Sequence, residues 1–274
     1  MPASAIAASA ARGIAPAHSR SLALLLGALC ALAWLALALW SATPYGRYVA
    51  HDGWLDGVAL GALCRAVPGG SLVVPAVLHA VAWIVMIAAM MLPTTYPVLA
   101  LFRRIVAGRE DAASLLCVVC AGFVAVWLGF GLMAHAADEA LQWMFARMPA
   151  LTTHAWIVGA VVLAGAGAFQ FSSLKYRCLE QCHAPLSFVM ARWHGRNPRR
   201  DAWRIGVDHG IFCVGCCWAL MLVMFVVGTG NLGWMLVLAA VMAAEKNLPW
   251  GRRLRTPLAL VLLAWSATLV VLNA

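Results

Sequence analysis

The chain has 274 residues, 64% of them apolar and only 11% charged, where soluble domains run at about 45–50% and about 25%. A soluble domain of this length would need a polar shell that these residues cannot supply. The same numbers exclude disorder, a fibrous protein and a disulfide-knit secreted scaffold. The composition predicts an all-α, polytopic membrane bundle, so the net charge of +9 is read first as topology, and no nucleic-acid partner is expected.

Crossing about 30 Å of hydrocarbon takes about 20 apolar residues. Seven such runs are predicted, at 21–41, 75–101, 113–134, 154–172, 205–228, 231–248 and 257–273, the last of them short. The Gly-rich turn Gly228-Thr229-Gly230-Asn231 makes a helical hairpin of the fifth and sixth. With the N-terminus in the cytoplasm, only Arg47, Arg65 and Arg147 fall outside, and the other 16 of the 19 Lys and Arg fall inside. That bias fixes the orientation by the positive-inside rule. Residues 1–20 then form a cytoplasmic leader and 21–274 one integral membrane domain with a metal-binding core at about 75–250, expected in a bacterial inner membrane among its lipids. The outer connection 42–74 carries His51, Asp52, Asp56 and Cys64. The outer stretch 135–153 is an irregular mix, read as a short interfacial helix. The inner connection 173–204 carries a Cys-x-x-x-Cys-His run.

Nine Cys and twelve Met are a heavy sulfur load. The odd Cys count, with most of them in spans or inside, argues against structural disulfides. Soft thiolate and thioether ligands select Cu(I), and thiolates alone also suit zinc, which ranks second here. On the fifth run His209, Cys213, Cys216, Cys217, Met221 and Met224 fall within an arc of roughly 100°. On the sixth, Asn231, Met235, Met242 and Glu245 share an arc of roughly 80°. Lys246 there is expected to snorkel to the headgroups, and Glu245 either faces a cavity or pairs with Lys246 or Arg252. The second run lines up His79, Trp83, Met86 and Met90, followed by Met91, and Pro93 and Pro97 break its ladder near the inner end. In the inner connection Cys178 and Cys182, if helical, sit one turn apart beside His183. Cys117 and Cys120 on the third run share a face but have no partner except the distant His135, and are read as packing.

The strings Met-Ile-Ala-Ala-Met-Met-Leu-Pro (86–93), Leu-Lys-Tyr-Arg-Cys-Leu-Glu-Gln-Cys-His-Ala-Pro (174–185) and Gly-Ile-Phe-Cys-Val-Gly-Cys-Cys-Trp-Ala-Leu-Met (210–221) resemble one bacterial family, as does Asn-Leu-Gly-Trp-Met (231–235) followed by Glu245-Lys246. It is a family of metal-binding integral membrane proteins, some of them treated as copper chaperones that help load tyrosinase-type copper enzymes. The resemblance covers roughly 75–250. It implicates Met90, Met91, Cys178, Cys182, Cys213, Cys216, Cys217, Met221 and Glu245. One position departs from the family pattern: Gly230 stands before Asn231, where relatives carry Met.

Three functions compete. The first is a Cu(I)-binding membrane protein, not an enzyme, that exchanges copper with a donor or acceptor protein, such as a copper enzyme. Cys178 and Cys182 would dock the ion and Cys213, Cys216 and Cys217 would hold it. Met221, Met90, Met86, Met224, Met235 and His183 would form the softer surroundings and onward path, with Glu245 balancing charge. The second is a membrane thiol–disulfide oxidoreductase using the Cys213/Cys216 pair. The third is a transporter or assembly partner in which the sulfur is incidental. No Walker loop, dinucleotide fingerprint, zincin helix or nucleophile elbow occurs.

Overall fold

The structure is a computed structural model that describes residues 16–42, 73–148, 154, 156–228 and 231–273. The first part of the expected leader, the outer connection with His51, Asp52, Asp56 and Cys64, and Thr229 and Gly230 of the hairpin turn lie outside the described residues. Among the described residues all regular structure is helical. Ten α-helices follow in chain order: α1 (Pro16–Ser41), α2 (Val73–Met90), α3 (Tyr96–Ile105), α4 (Ala112–Arg147), α5 (Trp156–Phe169), α6 (Ser173–His183), α7 (Pro185–Met190), α8 (Pro198–Val227), α9 (Leu232–Asn247) and α10 (Arg255–Asn273). Single 3-10 turns at Pro93–Thr95 and Gly251–Leu254 lead into α3 and α10.

The break between α2 and α3 follows from Pro93, which lacks an N–H and crowds the preceding turn. Met91 N and Leu92 N both donate to Ile87 O at 2.9 Å, and the Thr94 and Thr95 hydroxyls donate to Met91 O and Leu92 O at 2.7 and 2.6 Å. Ala89 O, the carbonyl that loses its intrahelical donor to Pro93, accepts instead from Cys30 Sγ of α1 at 3.2 Å, as an apolar surrounding demands. The two helices are bent by 47°. A second bend, of 61°, separates α5 from α6. There Ser172 starts α6 as N-cap, its side chain accepting from Lys175 N at 3.1 Å.

Helix α8 is the centre of the bundle, packing on α4 most extensively and also on α5, α6 and α9. Its contact with α4 depends on small residues. A Cβ at Gly206 would collide with the Val119 carbonyl oxygen, and one at Gly122 would lie 2.8 Å from Trp203 O. Glycine lets two backbones meet where no hydrophobic effect drives them together in lipid. Helix α10 lies antiparallel on α5, pinned by Ser266 Oγ donating to Ala160 O at 2.8 Å. Leu24, Leu25 and Leu32 of α1 and Leu260, Val261 and Val271 of α10 remain exposed, an apolar rind suited to lipid rather than water.

Four helices are long and apolar enough to cross a membrane (Arg20–Ser41, Ala112–Arg147, Pro198–Val227, Gly251–Asn273), and the two bent pairs raise the number to six. The expected run at 231–248 is α9, whose 16 residues span about 24 Å at 1.5 Å per residue. The last run, expected to be short, is instead continuous over 23 residues from Gly251. One connection differs from expectation and another meets a condition set by the sequence. Helix α4 continues unbroken to Arg147, so residues 135–147 extend a span rather than forming a separate short helix. The inner connection folds into α6 and α7, which sets Cys178 and Cys182 on one helical face.

Gly206→Ala should lower the thermal midpoint in detergent, with an overpacking cost of about 1–3 kcal/mol. Gly129→Ala, on α4 with nothing within 4 Å of its Cβ position, should hold the midpoint or raise it slightly, because alanine favours the helix over glycine. Equal midpoints for the two variants would contradict the close α4–α8 approach.

Candidate metal centre

The stripe on α8 faces inward: Cys213, Cys216, Cys217, Met221 and Met224 are all buried. They join one core cluster with Met86, Met90, Met91, Met235 and Cys178, and Cys182 packs against it. Residues far apart in sequence are brought together by three helix contacts. The α2 break sets Met91 against Lys246 of α9, α6 lies across α8, and the hairpin returns α9 beside α6 and α8. Gly215 makes the α6 contact feasible, because a Cβ there would sit 2.6 Å from Cys178 Sγ.

Within the cluster the thiols fall into two sets. Cys216 Sγ and Cys217 Sγ are 3.4 Å apart, Cys216 also donates to Cys213 O at 3.2 Å, and Cys182 packs against the same cluster. Cys213 turns to a cation instead: Lys246 Nζ donates to its Sγ at 2.9 Å. The same ammonium lies 3.7 Å from Met91 Sδ and 3.5 Å from Thr94 Oγ1. One positive charge is therefore surrounded by a thiol sulfur from α8, a thioether sulfur from the α2 break and a hydroxyl from the 3-10 turn. The described cysteines are all free thiols. Among the described residues, no three His, Cys, Asp or Glu side chains are already gathered closely enough to hold a metal ion together.

The carboxylate of Glu245 has a partner that spacing does not suggest. It accepts from Lys175 Nζ at 2.9 and 2.8 Å, and both side chains are almost wholly buried. Gln170 Oε1 accepts from the same ammonium, and His183 Nε2 meets Glu245 O at 2.9 Å. The two partners expected for Glu245, Lys246 and Arg252, are occupied elsewhere. Lys246 points at sulfur rather than snorkelling outward, and Arg252 reaches Glu180 at 3.9 Å on the surface. His209 lies one turn before Cys213, between the rings of Phe123 and Phe188, each centroid 5.6 Å away. Asn231, which shares the α9 arc, serves as the N-cap of α9, its Oδ1 accepting from Trp234 N at 3.1 Å. Cys117 is exposed and Cys120 half-buried.

A family model described as "PpoB2: Copper chaperone" matches residues 80–269. The chain belongs to this family. The matched region begins in α2 and ends in α10, so it contains every sulfur of the core cluster and both buried lysines. PpoB2 proteins are classed as copper chaperones, not enzymes, which agrees with the resemblance carried by the Met-Leu-Pro, Cys-x-x-x-Cys and Cys-x-x-Cys-Cys strings. No curated protein and no solved structure matches the chain.

Removing one member of a buried ion pair leaves an uncompensated charge, which costs about 3–5 kcal/mol. Glu245→Gln should therefore depress the thermal midpoint strongly, and Lys175→Met combined with Glu245→Leu should recover most of the loss. A single variant as stable as wild type would contradict the pairing.

Proposed function

We propose that this protein is an integral membrane copper chaperone that takes up Cu(I) at a sulfur site centred on α8 and hands it to a copper-requiring partner. The observation that carries this reading is the shared cation: Cys213 Sγ and Met91 Sδ, from separate helices, both contact Lys246 Nζ in an apolar core. Cys216 and Cys217 lie on the same helix face. An ammonium between two soft sulfurs shows that these side chains can converge on a monovalent cation. Cu(I) is such a cation, and thiolate and thioether donors suit it better than they suit hard ions.

In this reading the side chain of Lys246 holds the place of the cargo. While no copper is bound, the ammonium keeps Cys213 and Met91 apart and satisfied. Loading moves it aside, and Cys213, with Met91 or Met90 and the Cys216/Cys217 pair, takes the ion, each thiol that binds it releasing its proton. Cys178 and Cys182 on α6 dock the incoming ion beside Cys216 and Cys217. Met86, Met221, Met224 and Met235 line the rest of the core, and Glu245, held by Lys175 and next in sequence to Lys246, fixes the end of α9. His209, one turn before Cys213, and His183, against Glu245 O, lie at the margin. Copper is the cargo, zinc a weaker competitor, and the recipient is a copper enzyme.

For topology we take α9 as a seventh crossing, paired with α8 as a hairpin. The N-terminus then lies inside with 16 of 19 basic residues on the cytoplasmic side, the distribution expected in a bacterial inner membrane.

After anaerobic loading with Cu(I) and desalting, wild type should retain stoichiometric copper, and a Cys213→Ser/Cys216→Ser/Cys217→Ser variant should retain none at the sulfur site. Equal retention in both would overturn that site. Lys246→Met, which removes the competing cation and adds a thioether, should release copper to a chelator several-fold more slowly than wild type. Faster release would show that the ammonium supports the loaded state instead of standing in for it.

A further inference from the structure

The structure brings together two imidazoles that the sulfur site does not use. His79 of α2 and His135 of α4 stack with ring centroids 4.3 Å apart and planes within 18° of parallel. Helices α2 and α4 run antiparallel here. Four residues further along α2, Trp83 donates from Nε1 to Trp127 O at 2.8 Å, and a Cβ at Gly131 would collide with its ring. The histidine pair is thus set by the same register that seats Trp83. His79 also stacks on Trp83, at 5.7 Å.

Three features separate this pair from ordinary packing. His135 Nδ1 is buried without a hydrogen-bond partner, a costly state for a ring nitrogen. Asp138, almost fully buried, follows His135 by one turn on the same face of α4. The pair also lies beyond the far end of the sulfur core: His79 precedes Met90 by eleven residues, about 16 Å along the helix, and Trp83, Met86 and Met224 belong to the core that fills the interval.

We propose that His79 and His135 form a second, imidazole-based copper site, separate from the sulfur site and at the opposite end of the core. It rests on the copper-handling reading above. Two metal–nitrogen bonds of about 2.0–2.1 Å, the length found for imidazole on zinc, together span about 4 Å. With about 1.1 Å more from each nitrogen to its ring centre, a linearly bridged pair has centroids about 6 Å apart, so from 4.3 Å the rings must turn out of their stack and part by about 2 Å to aim one nitrogen of each at a shared ion. Imidazole suits copper in both common oxidation states and is harder than thiolate, so an ion held here is held differently from one held by Cys213.

The test uses the full-length protein in detergent, loaded anaerobically with Cu(I), in four forms. These are wild type, Cys213→Ser/Cys216→Ser/Cys217→Ser, His79→Gln/His135→Gln, and all five substitutions together. The triple-Cys form should keep a fraction of copper whose X-ray absorption shows imidazole scattering, and the five-substitution form should lose it. The double-His form should keep only the sulfur-bound ion. If wild type and the double-His form bind equal copper and the triple-Cys form shows no imidazole scattering, the second site is overturned while the sulfur site stands. Copper absent from the triple-Cys form but present in the double-His form overturns it equally. Histidine-labelled NMR of the unsubstituted chain gives a check that needs no variant. Titration with Ag(I), a redox-inert stand-in for Cu(I), should shift the ring signals of His79 and His135, and unshifted signals would overturn the proposal.

Discussion

An ammonium ion sealed in an apolar bundle needs a partner, and for Lys246 that partner is sulfur. Its contact with Cys213 Sγ, at 2.9 Å, orders much of what surrounds it. The α2 helix must break where it does for Met91 and Thr94 to complete the ring of contacts. Helix α9 must return along α8 to deliver the lysine. The adjacent carboxylate, Glu245, must then be neutralised from a third direction, which Lys175 does from α6. Burial of charge is expensive, and each charge here is matched by a group from another helix.

The close packing that supports this arrangement comes from glycine. Gly206 and Gly122 bring α4 and α8 together, and Gly215 lets Cys178 rest against α8. Gly251 performs the same service at the end of α9, where a Cβ would lie 2.6 Å from Glu245 O. The following 3-10 turn therefore folds over the Glu245-Lys246 dipeptide. Lys246 itself turns inward to Cys213, Met91 and Thr94 and does not reach outward as a lysine near a helix end ordinarily would.

Features with a local cause are legible in the sequence. The α8 stripe follows from helical periodicity, the α2 break from Pro93, and the Cys178/Cys182 pairing from a four-residue spacing. Features that depend on helix alignment are not. Glu245 and Lys175 are 70 residues apart, and no pattern within either segment names the other. The stacking of His135 on His79 is hidden for the same reason. The register of α2 against α4 is set by Trp83 and Gly131, a steric match invisible along the chain. Hydropathy likewise does not register the bends of 47° and 61° that divide two of the apolar runs.

Family membership makes copper the cargo to test, and the buried Cys and Met side chains of one core cluster are the candidates for touching it. The most direct measurement is X-ray absorption of the wild-type protein loaded anaerobically with a single equivalent of Cu(I). The ion should show a first shell made of sulfur, from Cys213 and its neighbours. A shell dominated by nitrogen or oxygen at that loading would contradict a sulfur site centred on α8.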